Sequence, residues 1–420
     1  MNILILMADE FRRDAAGFAE NRNARTPTLD RLATGGRIFP NAITPSPVCV
    51  PARQCFATGQ YPFRIGCEDF QSDLTPGAPT FSRWFADHGY YTVASGKLHH
   101  RGPDQMQGWL HRIGSETAVQ WPGAYAGRPQ IGRRKWRGVE DVLAAGPGVS
   151  PLALHDELTV QGTCDFLRMH FGGMYDVDPA TPLLLLVSLQ QPHFPLLCEP
   201  ELFARHLDST VPPEPDFPPV HPILARSALN VPAEATRRAR AAYAAMVEAV
   251  DRRFQRVLDT IKACGQSLDE WLVVFTSDHG DMLGDHGCWE KRSFYEESVG
   301  IPLFVRGPGF EAGIDPRPAS LIDIFPTLCI AAGLPVPDGL DGTDLRKPAT
   351  CSLSQIGRSH FLIREEKWKL LTFGGEAPDV LFDLAADPKE TRNLAPSEPI
   401  IVKRLRNRLA EITDGRAGIC

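Results

Sequence analysis

Two apolar runs that end in acidic residues place the strongest constraint on how this chain folds. Residues 1–8 lead directly into Asp9 and Glu10, and residues 271–276 lead into a polar segment that contains Asp278. Runs of this kind are typical of strands that are buried on both faces of a parallel sheet. Because the carboxyl ends of parallel strands meet at one edge of the sheet, we expect these carboxylates to converge on a site there.

Alternation of strand-like and helix-like segments supports the same fold class. Residues 81–88 predict a helix that leads into a strand at residues 90–94, and the spacing of apolar positions predicts one long helix over residues 234–262. The sequence therefore predicts an α/β fold with a large, mostly parallel central sheet flanked by helices. After about residue 345 the pattern changes to short alternating segments followed by a terminal helix. We therefore expect a catalytic domain at residues 1–345 and a smaller α+β subdomain at residues 346–420.

The pentapeptide Cys-Val-Pro-Ala-Arg at positions 49–53 carries the most specific chemical signal, and Thr58-Gly59 follows it closely. It resembles the C-x-P-x-R signature of the sulfatase family. In that family the cysteine is oxidised to formylglycine, whose hydrated aldehyde supplies the nucleophile, so the resemblance makes Cys49 its precursor and Arg53 the residue that orients it. The alternative for this segment alone is a proline-rich turn around a core cysteine, because free cysteines are often buried.

The same resemblance implies a metal site. The family holds a divalent cation with residues at the positions of Asp9, Glu10, Asp278 and His279, together with the group derived from Cys49. This chain departs from the family at Glu10, where a second Asp is common. Several carboxylate oxygens favour Ca²⁺, with Mg²⁺ or Mn²⁺ as alternatives, and the cysteines lack the paired spacing of a zinc site.

Three further segments resemble the groups with which the family binds sulfate and transfers protons. Lys97 and His99 lie in a G-K-x-H motif, His193 lies in a P-H-x-P segment, and Lys291 follows the Asp-His pair downstream. Taken singly, a histidine or lysine is usually a solvated or structural residue. The match of several segments in one order argues against coincidence, although His100 directly follows His99 and could be confused with it.

These residue types suit hydrolysis of a sulfate monoester, which carries one negative charge and releases an alkoxide or phenoxide. Fixed positive charge must surround the nonbridging oxygens, and a donor must reach the leaving oxygen. The resemblance implies that Lys97, Lys291, Arg53 and the metal supply the positive charge. It also implies that His193, with or without Lys291, protonates the leaving oxygen, and that His99 assists the release of sulfate.

Sequence narrows the substrate only slightly. Residues 97–105 and residues 278–284 are similar to the choline-sulfatase branch, but neither segment excludes a sugar or aryl sulfate. A phosphonate monoester or phosphodiester hydrolase on the same alkaline-phosphatase-like scaffold is the alternative enzyme, although such enzymes typically replace the G-K-x-H segment. A noncatalytic binding protein with this fold would have lost catalytic residues, and none is missing from the sequence. The family resemblance also implies a formylglycine-generating enzyme as a partner.

Composition argues against several other classes. A hydrophobic fraction of 43% and a charged fraction of 23% are those of a globular protein, and a net charge of -7 gives no electrostatic footprint for nucleic acid. We interpret the one basic run, residues 133–137, as a solvated loop.

The ten cysteines are scattered, which predicts mostly reduced thiols. The first residues resemble neither a signal peptide nor a membrane span, so we expect a cytoplasmic protein, or a periplasmic one after removal of a leader. The sequence is also compatible with a homo-oligomer.

Overall fold

The computed structural model describes residues 1–114, 116, 138–209, 218–347 and 349–417, so the basic run at residues 133–137 lies outside the described part of the chain. The helices are α1 (Pro27–Thr34), α2 (Cys49–Thr58), α3 (Pro62–Ile65), α4 (Phe81–Asp87), α5 (Val139–Leu143), α6 (Pro151–Phe171), α7 (Pro200–Ser209), α8 (Ala233–Ala263), α9 (Glu296–Val299), α10 (Ile324–Ala331) and α11 (Pro399–Ile412). The strands are β1 (Ile3–Asp9), β2 (Arg37–Ile38), β3 (Ala42–Ile43), β4 (Tyr91–Gly96), β5 (His111–Ile113), β6 (Gly146–Pro147), β7 (Leu183–Pro192), β8 (Leu197–Cys198), β9 (Leu272–Ser277), β10 (Leu303–Arg306), β11 (Gly313–Ile314), β12 (Ala319–Ser320), β13 (Ser352–Ile356), β14 (His360–Glu365), β15 (Trp368–Thr372) and β16 (Val380–Asp383).

The central sheet has eight strands within the described residues, in the order β11-β2-β10-β9-β1-β7-β4-β5. Strand β1 lies in its interior, parallel to β7 on one side and to β9 on the other. Strands β4 and β5 continue the parallel part, whereas β10 runs antiparallel to both β9 and β2. The predicted large, mostly parallel sheet is confirmed.

Alternate side chains of β1 enter two cores, one on each face of the sheet. Leu4 and Leu6 pack with helices α6 and α8 on one face, and Ile5 and Met7 pack with α2, α4 and α10 on the other. All residues of β1 are buried, which explains why the strand has no polar alternation. The long helix predicted over residues 234–262 is α8, and it covers the first of these faces.

The C-terminal part forms an antiparallel sheet in the order β13-β14-β15-β16, against which α11 packs. Its side chains enter two cores that also contain residues from earlier in the chain. Leu362 and Leu371 share a core with Tyr295, while Leu370 shares another with Tyr61. The small α+β unit is therefore present, and its boundary at residue 345 stays a prediction.

Two further observations bear on the expectations from composition. None of the nine cysteines in the described ranges forms a disulfide, which agrees with the scattered spacing of these residues in the sequence. Among the helices listed above, none is long and apolar enough to cross a membrane.

A buried charge cluster joins the C-terminal sheet to the main part of the chain. The carboxylate of Glu296 in α9 accepts hydrogen bonds from three cations, which are Lys369 (2.9 Å), Arg364 (3.1 Å) and Arg13 (2.6 Å). Lys369 is fully buried and also pairs with Glu390 at 2.7 Å. Burial raises the pKa of Glu390 to about 7 against the opposing charge of Lys369. One ammonium group therefore compensates two buried carboxyl groups.

Replacing Lys369 with Met should lower the free energy of unfolding by about 3–5 kcal/mol, because two buried carboxyl groups lose their shared cation. Equilibrium denaturation in urea, followed by circular dichroism, measures this loss. Lys367→Met is the matched control, since Lys367 lies just before β15, is 48% exposed and pairs with Asp383 at 2.6 Å. Its expected cost is below about 1 kcal/mol. Equal losses of unfolding free energy in the two variants would contradict the expected contribution of the buried cluster to stability.

Candidate active site

Cys49 is the first residue of α2, so the Cys-Val-Pro-Ala-Arg segment forms the start of a helix rather than a turn. The side chain of Cys49 is buried, and burial raises the pKa of its thiol. The preceding residue, Val48, provides no side-chain cap, which leaves the first amides of the helix available to a negatively charged group. Gly59 ends the helix with φ of 68°, a left-handed conformation that explains the glycine of the Thr-Gly pair.

Four potential metal ligands converge where β1 and β9 end. Each is buried and offers an atom within 4.8 Å of the others, and they are Asp9, Cys49, Asp278 and His279. The Sγ atom of Cys49 lies 3.1 Å from Nε2 of His279. The sheet register explains the convergence. Ala8 of β1 pairs with Ser277 of β9, so Asp9 and Asp278, which directly follow these two residues, lie side by side.

Two cations compensate the carboxylates of this group. The ammonium of Lys97 pairs with Asp9, and Nε of Arg53 donates to Oδ2 of Asp278 at 2.7 Å. Burial alone would raise the pKa of Asp9, but the neighbouring positive charges, that of Lys97 first, hold it well below its usual value. Within the described residues, Oδ1 of Asp9 accepts no hydrogen bond, which leaves this oxygen available to a cation.

Arg53 also links the end of β4 to the interior of β7. Its Nη1 donates to the carbonyl of Lys97, just after β4, at 2.8 Å, and to Oγ of Ser188 on β7 at 2.9 Å. Ser188 is a residue that the sequence analysis missed. A single serine within an apolar run belongs to no motif, and its polarity inside a buried strand was the available signal.

Glu10, Lys291 and His193 form a second group beside the first. The Nζ atom of Lys291 lies 3.2 Å from Oε2 of Glu10 and 2.8 Å from Nε2 of His193. Since Nδ1 of His193 lies 2.8 Å from the carbonyl of Phe194, it donates there and Nε2 accepts from the ammonium. Burial, reinforced by the charge of Lys291, holds the pKa of His193 well below its usual value. Glu10 lies outside the group of four, and its role as a metal ligand stays a prediction.

The adjacent histidines His99 and His100 have different surroundings. His99 has φ of 62°. The amides of His99 and Leu98 both donate to the carboxylate of Glu116. Glu116 belongs to no motif and was not predicted from the sequence. Nδ1 of His99 has no hydrogen-bond partner among the described residues. By contrast, Nδ1 of His100 lies 3.0 Å from the carbonyl of Gln105, and burial lowers the pKa of His100 to about 3. His99 therefore keeps a ring nitrogen available, whereas His100 is bonded within its own loop.

Comparison with known proteins identifies the family. The family model described as Sulfatase matches residues 1–334, which is most of the chain. The chain belongs to the sulfatase family. A second family model, described as N-sulphoglucosamine sulphohydrolase, C-terminal, matches residues 284–415 of this sulfatase. The family predicted from the C-x-P-x-R segment is confirmed.

A choline-sulfatase of Rhizobium meliloti (strain 1021) is 31% identical to this sulfatase over 437 residues, which cover 95% of this chain and 83% of the relative. A structure described as a complex with its substrate D-glucosamine-2-N,6-O-disulfate has a TM-score of 0.78 at 19% identity and covers 98% of both chains. The phosphonate monoester hydrolase of Agrobacterium radiobacter has a TM-score of 0.78 at 23% identity, covering 99% of this chain and 96% of the other. These two structures establish a shared fold.

Proposed function

We propose that this sulfuric ester hydrolase cleaves a sulfate monoester to an alcohol and inorganic sulfate, with a formylglycine derived from Cys49 as the nucleophile. The observation that carries the proposal is the setting of Cys49, whose Sγ lies 3.1 Å from His279 at the start of a helix. Lys97 and Arg53 add buried positive charge beside it. An anionic ester would meet the nucleophile where fixed charges and the helix amides offset its own charge.

The group of four residues around Cys49 fits a divalent cation. Asp9 and Asp278 offer carboxylate oxygens, one of them without a hydrogen bond, and a formylglycine would add a further oxygen. Oxygen donors of this kind suit Ca²⁺, which we favour over Mg²⁺ or Mn²⁺ because a set of carboxylates around a substrate oxygen allows a high coordination number. When bound, the cation would supply a Lewis acid that favours the deprotonated form of the nucleophile. Glu10 remains a candidate ligand, although its Oε2 pairs with Lys291.

The remaining residues would bind the ester and move protons. Lys97 and Lys291 are buried cations that can hold nonbridging oxygens of sulfate. Because Lys291 donates to Nε2 of a neutral His193, the two residues share a proton that can pass to the leaving oxygen. The available Nδ1 of His99 supports its proposed role in accepting a proton as sulfate is released.

The alcohol is the least constrained part of the proposal. Similarity to a choline-sulfatase supports a small alcohol, whereas the related fold solved with a glucosamine disulfate supports a sugar. The fold shared with a phosphonate monoester hydrolase makes a phosphonate or phosphodiester hydrolase the alternative. We favour sulfate because Lys97 and His99 are both present.

Substrate selectivity tests the proposed activity directly. With one p-nitrophenyl leaving group throughout, kcat/KM should be at least about tenfold higher for the sulfate ester than for a phosphate diester or a phosphonate monoester. The reason is that sulfate presents three nonbridging oxygens to the buried cations, while the other two esters present two. Absorbance at the nitrophenolate band gives the rates. Faster turnover of the phosphonate would favour the alternative enzyme.

Mass spectrometry of the peptide that spans Cys49 should detect formylglycine when the protein is produced together with a formylglycine-generating enzyme. Cys49→Ser should fold but give no multiple turnover, because a serine ester of sulfate has no second hydroxyl with which to expel sulfate. Cys55→Ala, in the same helix, is the control and should keep both the modification and activity. An unmodified thiol at Cys49 in fully active enzyme would refute the proposed nucleophile.

Cation binding should depend on the two carboxylates that lie closest to Cys49. Asp9→Ala and Asp278→Ala should each lose the cation and activity together, while Glu10→Gln should retain more of both. Elemental analysis of the purified proteins measures the cation. The control is Asp269→Ala, because Asp269 is 79% exposed and lies outside the site. Stoichiometric cation in Asp278→Ala would mean that the proposed site is misplaced.

A further inference from the structure

The turn that follows β1 directs two consecutive carboxylates into different parts of the site. Asp9 belongs to the group of four ligands, while Glu10 pairs with Lys291. At this divergence Glu10 adopts φ of 63°, a left-handed conformation that is uncommon for a residue with a side chain. The surrounding structure must therefore hold the turn in place.

Side chains at the last residue of β9 and at the residue after it bind the first two amides of this turn. The amide of Glu10 donates to Oδ1 of Asp278 at 3.1 Å, and the amide of Phe11 donates to Oγ of Ser277 at 2.9 Å. These two contacts secure one side of the turn. They leave the carbonyl of Glu10 and the amide of Arg12 to be bound from elsewhere.

Tyr243 of α8 binds both of these remaining groups. Its hydroxyl donates to the carbonyl of Glu10 at 2.7 Å and accepts from the amide of Arg12 at 2.8 Å. The side chain is 3% exposed and packs in the core between α8 and the central sheet. One hydroxyl therefore bridges the backbone groups on either side of Phe11, and one of these groups is the carbonyl of the left-handed Glu10.

We propose that Tyr243 is a positioning residue for the hydrolysis described above, and that its hydroxyl holds Glu10 in the conformation that separates the two carboxylates. The expected effect of the Tyr243 hydroxyl on turnover rests on the proposed function. Its effect on cation binding does not rest on the proposed function, because Glu10 directly follows Asp9 and its amide donates to Asp278. Tyr243 itself contacts neither the four ligands nor Lys291 through a hydrogen bond within the described residues.

Tyr243→Phe removes the hydroxyl and leaves the ring in the core. The dissociation constant for Ca²⁺, measured by calorimetry without substrate, should rise about tenfold or more, and kcat should fall by at least as much, because misplacement of a reacting group by about 1 Å is costly. We expect KM to change by less than kcat, since the lysines that hold sulfate remain. Faster amide hydrogen exchange at residues 10–12, compared with residues 3–8, should accompany these changes.

Tyr90→Phe is the matched control. The hydroxyl of Tyr90 also donates to a backbone carbonyl, that of Met1, at 3.1 Å, but at the opposite end of the sheet. This variant should change Ca²⁺ affinity and kcat by less than about twofold, because the bond lies far from the ligands.

A lower melting temperature in Tyr243→Phe with unchanged Ca²⁺ affinity and unchanged kcat would overturn the proposal, since the hydroxyl would then serve stability alone. Global unfolding of Tyr243→Phe would overturn it for the same reason. If Ca²⁺ affinity falls as expected in a protein that cleaves no sulfate ester, the positioning role stands and the proposed function fails.

Discussion

Compensation of two buried carboxylates, Asp9 and Asp278, is the interaction on which the rest of the site depends. An unpaired charge in such an interior costs several kcal/mol, so carboxylates at the ends of β1 and β9 require nearby cations. Arg53 and Lys97 provide them, and Arg53 also donates a hydrogen bond to Ser188 within β7. The same contacts fix α2, with Cys49 at its first position, against the edge of the sheet. The contacts that neutralise the two carboxylates are therefore also the contacts that place Cys49.

The fold could be predicted from the sequence because its strands are buried on both faces. Continuous apolar runs identified β1 and β9, and helical spacing of apolar positions identified α8 to within about one residue at each end. The start of α2 was harder to predict, since a segment rich in proline also fits a turn. In the structure Pro51 lies in the first turn of the helix, where a missing amide hydrogen is tolerated.

The candidate site was predictable where a motif carries the chemistry and not where a single hydroxyl or carboxylate supports it. Cys49, Lys97 and His193 belong to short patterns that can be read locally. Ser188 and Tyr243 act through hydrogen bonds to residues more than a hundred positions away, and each looks like an ordinary member of an apolar strand or helix. Contacts of this kind follow from the packing of α8 and β7 against the sheet, which local spacing does not specify.

The shared core between α2 and the C-terminal sheet sets an order of events during synthesis. Cys55, in the same helix as Cys49, packs with Leu353 and Phe361, which lie near the end of the chain. Until those residues leave the ribosome, that face of α2 lacks its final partners. Cys49 is 2% exposed in the finished fold, so an enzyme that modifies it would have to act before the chain has closed around this helix.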